Sequence, residues 1–230
     1  MILAAGLGQR MRPITDTLPK PLIEVAGRRL IDRAVDRLVE AGIARAIVNV
    51  HHLADRIAAW AGTRHDIAIE ISDERGELLD TGGGIAKALA GLGSEPFFVL
   101  NSDGFWLEDG VPALTRLARA WDEARMDCLL LLGDPRQATG HAGKSDFLMD
   151  DEGKLKRAAG SAEGLVYIGA FIVSPHIFTG LPSSKFSMNL LWDRAIAVGR
   201  LHGLCHAGAW LHVGTPEAIE EAERRLTSLS

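Results

Sequence analysis

Residue types suited to phosphate chemistry concentrate in Leu3-Ala4-Ala5-Gly6-Leu7-Gly8-Gln9-Arg10-Met11-Arg12-Pro13-Ile14-Thr15 and in the Pro19-Lys20-Pro21-Leu22 that follows. Glycines directly behind a short apolar run let backbone N–H groups approach phosphate oxygens, because no Cβ stands in the way. Arg10 and Lys20 can neutralise anionic charge that amides alone cannot. The two glycines also suit a tight turn ahead of a proline-stiffened surface loop. Met11 stands where a dinucleotide-binding fingerprint would need its third glycine.

Asp103 follows Phe98-Val99-Leu100-Asn101, at the carboxyl end of a predicted strand, where ligands gather in open α/β sheets. A carboxylate there can hold Mg²⁺ together with phosphate oxygens and waters, or can cap the next turn. Leu79-Asp80-Thr81-Gly82-Gly83-Gly84-Ile85 sets an N-cap candidate and three glycines at a helix start, which fits a nucleotide and also fits close helix packing. His51 and His52 are adjacent on a predicted strand and face opposite sides, so structural roles are expected of them, as of His202 and His206. Gly140-His141-Ala142-Gly143-Lys144-Ser145 has two residues between its glycines where a P-loop has four, which excludes that motif.

The elements that must position these residues alternate. Strands are predicted at 1–4, 45–50, 67–71, 97–101 and 128–132, with helices at 30–41, 53–61, 81–92 and 111–124 between them, the pattern of βαβ units around a mostly parallel sheet. In the first helix Ile31, Ala34, Val35 and Leu38 share a face, and Gly42 is placed to end it. Beyond residue 132 a hairpin is expected at 146–149 and 154–157, then a strand at 165–173, a helix at 188–198, short strands at 201–206 and 210–213, and a helix at 216–226. The expected architecture is one α/β domain over residues 1–230, a doubly wound, mostly parallel Rossmann-like sheet with a small antiparallel extension.

With 47% hydrophobic and 24% charged residues the chain has the composition of a folded globular protein. Its net charge of −5 argues against a broad surface for nucleic acid or an anionic membrane, so an anionic ligand must be held locally. Residues 1–29 offer the place, since Arg10, Arg12, Lys20, Arg28 and Arg29 outweigh Asp16 and Glu24. Cys128 and Cys205 lie in separate segments, which excludes a disulfide framework or zinc site. No signal-like start and no apolar run near roughly 20 residues is present, so a cytoplasmic location is expected.

The first-loop string with Pro19-Lys20-Pro21 resembles the signature loop of the sugar-phosphate nucleotidyltransferases. The resemblance implies a nucleoside triphosphate held by Ala4, Ala5, Gly6, Gly8 and Arg10, with Thr81, Gly82 and Gly83 beside the base and ribose. It implies catalytic roles for Arg10, Lys20 and Asp103, and Mg²⁺, or Mn²⁺, on Asp103. Asp146-Phe147-x-Met149-Asp150, Tyr167-Ile168-Gly169-Ala170 and Asn189-Leu190-Leu191 with Gly199-Arg200-Leu201 resemble the short bacterial branch that contains the N-acetylmuramate 1-phosphate uridylyltransferases. That branch implies UTP and a sugar 1-phosphate as partners, pyrophosphate release, and a place in cell-wall precursor recycling. Another hexose 1-phosphate, phosphocholine, or a weakened nucleotide-sugar-binding regulator are the alternatives, and oligomeric state is left open. One departure stands out in Trp210-Leu211-His212-Val213-Gly214-Thr215-Pro216: His212 occupies the place where the family has a second metal-binding aspartate. Either Asp103 holds Mg²⁺ with waters and phosphates, or His212 recruits a softer metal, or catalysis is impaired.

Overall fold

The computed structural model describes residues 1–108, 110–161, 163–181 and 184–228. Its elements, in chain order, are β1 (Ile2–Leu3), β2 (Glu24–Val25), β3 (Arg28–Arg29), α1 (Leu30–Glu40), β4 (Arg45–Val50), α2 (Ala54–Ala61), β5 (Ala68–Asp73), α3 (Asp80–Leu92) and β6 (Phe97–Asn101). There follow β7 (Gly104–Trp106), α4 (Ala113–Ala120), β8 (Cys128–Gly133), β9 (Ala138–Thr139), β10 (Phe147–Met149), β11 (Leu155–Arg157), β12 (Val166–Val173), α5 (Met188–Ala197), β13 (Leu201–His206), β14 (Trp210–His212) and α6 (Pro216–Thr227).

Seven strands form the central sheet in the order β13-β8-β12-β6-β1-β4-β5. β12 runs antiparallel to β6 and β8, while the other neighbours pair in parallel. Small antiparallel pairings lie outside it, at β10–β11, β2–β3 and β7–β14. The expected α/β architecture, mostly parallel with an antiparallel extension, is the one observed.

Alternation along the strands explains the layers. In β8, Leu129 and Leu131 join the core formed with α1, α2 and α4, while Cys128, Leu130 and Leu132 join the core formed with α3 and α5. A strand that is apolar on both faces needs helices on both sides. A third, smaller core gathers Met11, Leu30, Phe105, Leu211, Val213 and Ala222. It packs the first loop against β7, β14 and α6, beside the head of the sheet.

Several boundaries differ from the periodicity. β1 pairs only over Ile2–Leu3, because the Ala4 N–H leaves the ladder to donate to Asn49 Oδ1 at 2.8 Å. α4 is shorter than 111–124: Pro112 and Trp121 are extended, and the Asp122 carboxylate accepts from Ala124 N at 3.0 Å to form a turn. β7, β9 and the β2–β3 hairpin are two or three residues long, too short to show a period of two. Gly42 ends α1 as expected, in a left-handed conformation with φ +77°. Among the described residues no helix is long and apolar enough to cross a membrane.

His202 and His206 on β13 are buried, and burial holds both imidazoles below the ordinary histidine pKa. The unfolded chain therefore takes up these protons first as pH falls. Their contribution is intact above about pH 6.5 and is lost as pH drops through that value towards the folded pKa. Urea unfolding at pH 7, 6 and 5 is expected to show a shallower acid loss of stability in His202→Leu than in the unaltered protein. Equal slopes would remove His202 as a source of acid sensitivity.

Candidate active site

The first loop leaves the carboxyl end of β1 inside the sheet, between β6 and β4, and is anchored along its length. Gly6 is exposed, and a Cβ there would meet nothing within 4 Å, which leaves its backbone open to a ligand. Gly8 sits at φ +61°, where a Cβ would lie 2.9 Å from Thr15 Cγ2 and 3.2 Å from Lys20 Cβ. Buried Thr15 donates its hydroxyl to Gly8 O at 2.9 Å, and the His52 ring nitrogen Nε2 bonds Thr15 O at 2.7 Å. His51 Nδ1 bonds Glu74 O at 2.7 Å, so both histidines are structural anchors, as expected.

Arg10 lies in the one-turn helix Gln9–Met11, with its guanidinium exposed while Met11 is fully buried in the third core against Leu211 and Val213. That anchoring turns Arg10 towards β14. Lys20, between Pro19 and Pro21, points back to the sheet, and its Nζ donates to Asp103 Oδ2 at 3.0 Å. Asp103 follows β6, and its carbonyl accepts from Val213 N at 2.9 Å, which ties it to the strand carrying His212.

Two cavities meet at Asp103. The first, about 340 Å³, is lined by Ala4, Ala5, Gly6 and Lys20 on one side and by Leu78, Asp80, Thr81 and Lys185 on the other. The second, about 550 Å³, is lined by Arg10, His141, Asp146, Tyr167, Trp210, His212 and Thr215 among others. Asn101 and Asp103 line both.

Burial, the largest influence on Asp103, pushes its carboxyl pKa up. The charges of Lys20, His212 and Arg10, with the Lys20 hydrogen bond, outweigh it and hold the pKa below the ordinary aspartate value. For His212, burial again comes first and lowers the pKa; Asp103 opposes it, and Lys20, Arg10 and His141 add to it. The imidazole is thus neutral at pH 7, with one ring nitrogen's lone pair available to a cation. Burial, reinforced by Asp103, pushes the Tyr167 phenol well up. Gly214 brings Arg10 and His212 together: a Cβ there would lie 2.7 Å from His212 Nε2 and 3.7 Å from Arg10 Nη1. Among the described residues no three or more His, Cys, Asp or Glu side chains converge as a metal cluster. Asp103 and His212 both line the second cavity.

The structure brings Ala4, Ala5, Gly6, Lys20, Thr81 and Asp103 to the first cavity and Arg10, Asp103 and His212 to the second. Gly8 lines neither of them, and neither do Gly82 and Gly83. Both amides donate to Phe186 O, at 2.9 and 3.0 Å, and a Cβ on Gly82 would collide with the Phe186 ring. The close-packing role of these glycines therefore accounts for them at this helix start. Thr81 does face the cavity, while its Oγ1 accepts from Met188 N at 2.9 Å. Sequence reasoning missed Asn101, Tyr167 and Lys185. The first two sit at strand ends, a signal that was available; Lys185 lies in an irregular segment that offers none.

A Gly8→Ala variant places a methyl-bearing residue in the left-handed region against Thr15 and Lys20. It is expected to lose about 1–2 kcal/mol of stability, measurable by chemical denaturation. Full stability would mean that the loop rearranges freely around position 8.

Comparison with known proteins follows the same lines. Residues 1–142 match the model of the family described as nucleotidyl transferase. The chain is 45% identical over 231 residues to the N-acetylmuramate alpha-1-phosphate uridylyltransferase of Caulobacter vibrioides, covering 98% of this chain and 96% of the relative. It is 33% identical to the protein of the same description from Neisseria meningitidis serogroup B, covering 97% and 96%. The structure of HddC from Yersinia pseudotuberculosis complexed with GMP-PN superposes with a TM-score of 0.78 at 22% identity, over 98% of this chain and 97% of that one, a likeness of fold.

Proposed function

The chain belongs to the nucleotidyl transferase family, and from that premise we propose that it transfers uridylyl from UTP to N-acetylmuramate 1-phosphate and releases pyrophosphate. The observation that carries this reading is the junction at Asp103, where two cavities meet with Lys20 on one and Arg10 on the other. A reaction between two phosphorylated substrates needs that layout: a chamber for each, and cationic charge where the phosphates meet.

UTP lies in the first cavity, its phosphates along Ala4, Ala5 and Gly6 and its nucleoside towards Thr81. Gly8 shapes the loop, and Gly82 and Gly83 act one step back, letting the Phe186 segment close on the helix start that presents Thr81. The sugar 1-phosphate lies in the second cavity. One of its phosphate oxygens attacks the α-phosphorus, a P–O bond forms, and the bond to the bridging oxygen breaks with its electron pair leaving on pyrophosphate. The nucleophile is already an anion, so no general base is required. Arg10 and Lys20 hold the two polyanions together and stabilise charge as it moves to the leaving group.

Family members use a divalent cation, and here Asp103 and His212 are the residues that would hold it. Mg²⁺ fits a single carboxylate completed by phosphate oxygens and waters, and the neutral imidazole also accommodates Mn²⁺. When bound, the cation supplies charge neutralisation on the phosphate oxygens. The enzyme acts as one domain over residues 1–230, in the cytoplasm.

Pyrophosphate release in a coupled pyrophosphatase assay, with UTP and N-acetylmuramate 1-phosphate varied against other nucleotides and sugar phosphates, tests the function. Equal use of ATP or GTP would remove the uridylyl assignment. Lys20→Met is expected to lower kcat by about 100-fold or more in the folded protein, a larger loss than its loss of stability, and an unchanged kcat would take Lys20 out of the mechanism. Asp103→Asn is expected to abolish metal-dependent turnover.

For His212→Asp the expectation is tighter Mg²⁺ binding to the protein without nucleotide, measured by calorimetry, with no new activity. If the unaltered protein proves inactive with every divalent metal and His212→Asp gains turnover, the chain is an impaired enzyme.

A further inference from the structure

Glu74, just beyond β5, lines neither cavity and is buried at 1% exposure, yet it joins the two walls of the first one. The Ala4 N–H donates to Asn49 Oδ1 at 2.8 Å, Asn49 Nδ2 donates to Glu74 Oε1 at 2.7 Å, and the Leu79 N–H donates to Glu74 Oε2 at 3.1 Å. Ala4 belongs to the loop wall, and Leu79 leads directly into Asp80 and Thr81 on the opposite wall. Beyond Leu79 the chain of bonds continues, since Leu79 O accepts from Phe186 N at 3.2 Å.

We propose that Glu74 is the positioning residue that sets the separation of the two walls of the nucleotide cavity, acting through Asn49 and Leu79. This role rests on the assignment of that cavity to the nucleotide.

Hydrogen-bond polarity makes the residue type decisive. Both ends of the chain are backbone N–H groups, which can only donate. Asn49 accepts once and donates once, so the group at position 74 must accept twice and donate nothing. Only a carboxylate does that. A glutamine there would turn its amide N–H towards Asn49 or Leu79 and leave a buried donor unpaired. Rotating the Asn49 amide would move the conflict to Ala4. Space is restricted as well: a Cβ on Gly84 would lie 2.6 Å from Glu74 Oε1 and 2.8 Å from Asn49 Nδ2, so the helix start packs directly on this pair.

The same logic yields a compensating variant, Asn49→Asp combined with Glu74→Gln. The carboxylate introduced at position 49 accepts from Ala4 and from the side-chain amide introduced at position 74. The carbonyl of that amide accepts from Leu79, so every donor is paired again, with the charge moved across one hydrogen bond onto a residue that lines the cavity.

The test measures UTP binding by calorimetry with Mg²⁺ present, alongside KM and kcat. Glu74→Gln is expected to raise the UTP Kd and KM by roughly 10- to 100-fold, while kcat at saturation and KM for the sugar phosphate stay within about threefold. The double variant is expected to bind UTP at least about threefold more tightly than Glu74→Gln, with recovery kept incomplete by the carboxylate it places on the cavity wall. Should Glu74→Gln fail to fold, restored folding and UTP binding in the double variant carry the test alone. Near-normal UTP binding by Glu74→Gln overturns the role, as does a double variant that binds no better than a folded Glu74→Gln or that fails to bind at all. If the unaltered protein binds neither UTP nor another nucleoside triphosphate, the nucleotide assignment falls and takes this role with it; loss confined to the variants leaves that assignment standing.

Discussion

The ion pair between Lys20 and Asp103 is the interaction on which the rest of this arrangement turns. A carboxylate partly shielded from water resists ionisation, and at the head of the sheet burial does push Asp103 that way although its side chain keeps 32% exposure. A nearby lysine, with Arg10 behind it, reverses the balance and keeps an anionic oxygen donor where two cavities meet. For that lysine to arrive, the loop after β1 must fold back over the sheet. The anchors along it, Thr15 on Gly8 and His52 on Thr15, serve that return. The same cationic groups that hold Asp103 ionised stand beside both cavities, so the electrostatics of the site are already those a pair of phosphates would require.

Packing makes this local charge possible in a chain that is acidic overall. The third core holds Met11 against Leu211 and Val213, and thereby fixes Arg10 and His212 relative to each other although some two hundred residues separate them in sequence. The bond from Val213 N to Asp103 O adds the third member. Three short strands, β7, β9 and β14, thus have consequences beyond their length: they join the second half of the chain to the end of the sheet where the two cavities meet.

Glycines in this protein show how one residue type answers different constraints. At Gly6 the missing side chain leaves open space for a ligand, and at Gly8 it permits a left-handed turn. At Gly82, Gly83 and Gly84 it admits other parts of the protein, Phe186, Ser184 and the Asn49–Glu74 pair. The last three therefore support a wall of the first cavity from behind, Gly84 against the polar chain that links Ala4 to Leu79.

Much of this was legible in the sequence, because local chemistry dictates it. Alternating apolar periods of 2 and 3.6 marked the strands and helices, Gly42 marked a helix end, and the combination of glycines, Arg10 and Lys20 marked an anion-binding loop. Asp103 was legible from its place after an apolar strand. Other features depend on contacts between distant segments, to which a one-dimensional pattern is blind. The sequence could not show that β12 runs antiparallel inside an otherwise parallel sheet, because pairing direction depends on the path of the chain between strands. Gly82 and Gly83 carried the same signal for a ligand as for packing, and only the position of Phe186 distinguished them. Glu74 looked like an ordinary charged residue at a strand end. Its role exists only when Asn49 and Leu79 both present donors to it, a condition of hydrogen-bond polarity that arises when β4 is folded against the connection between β5 and α3.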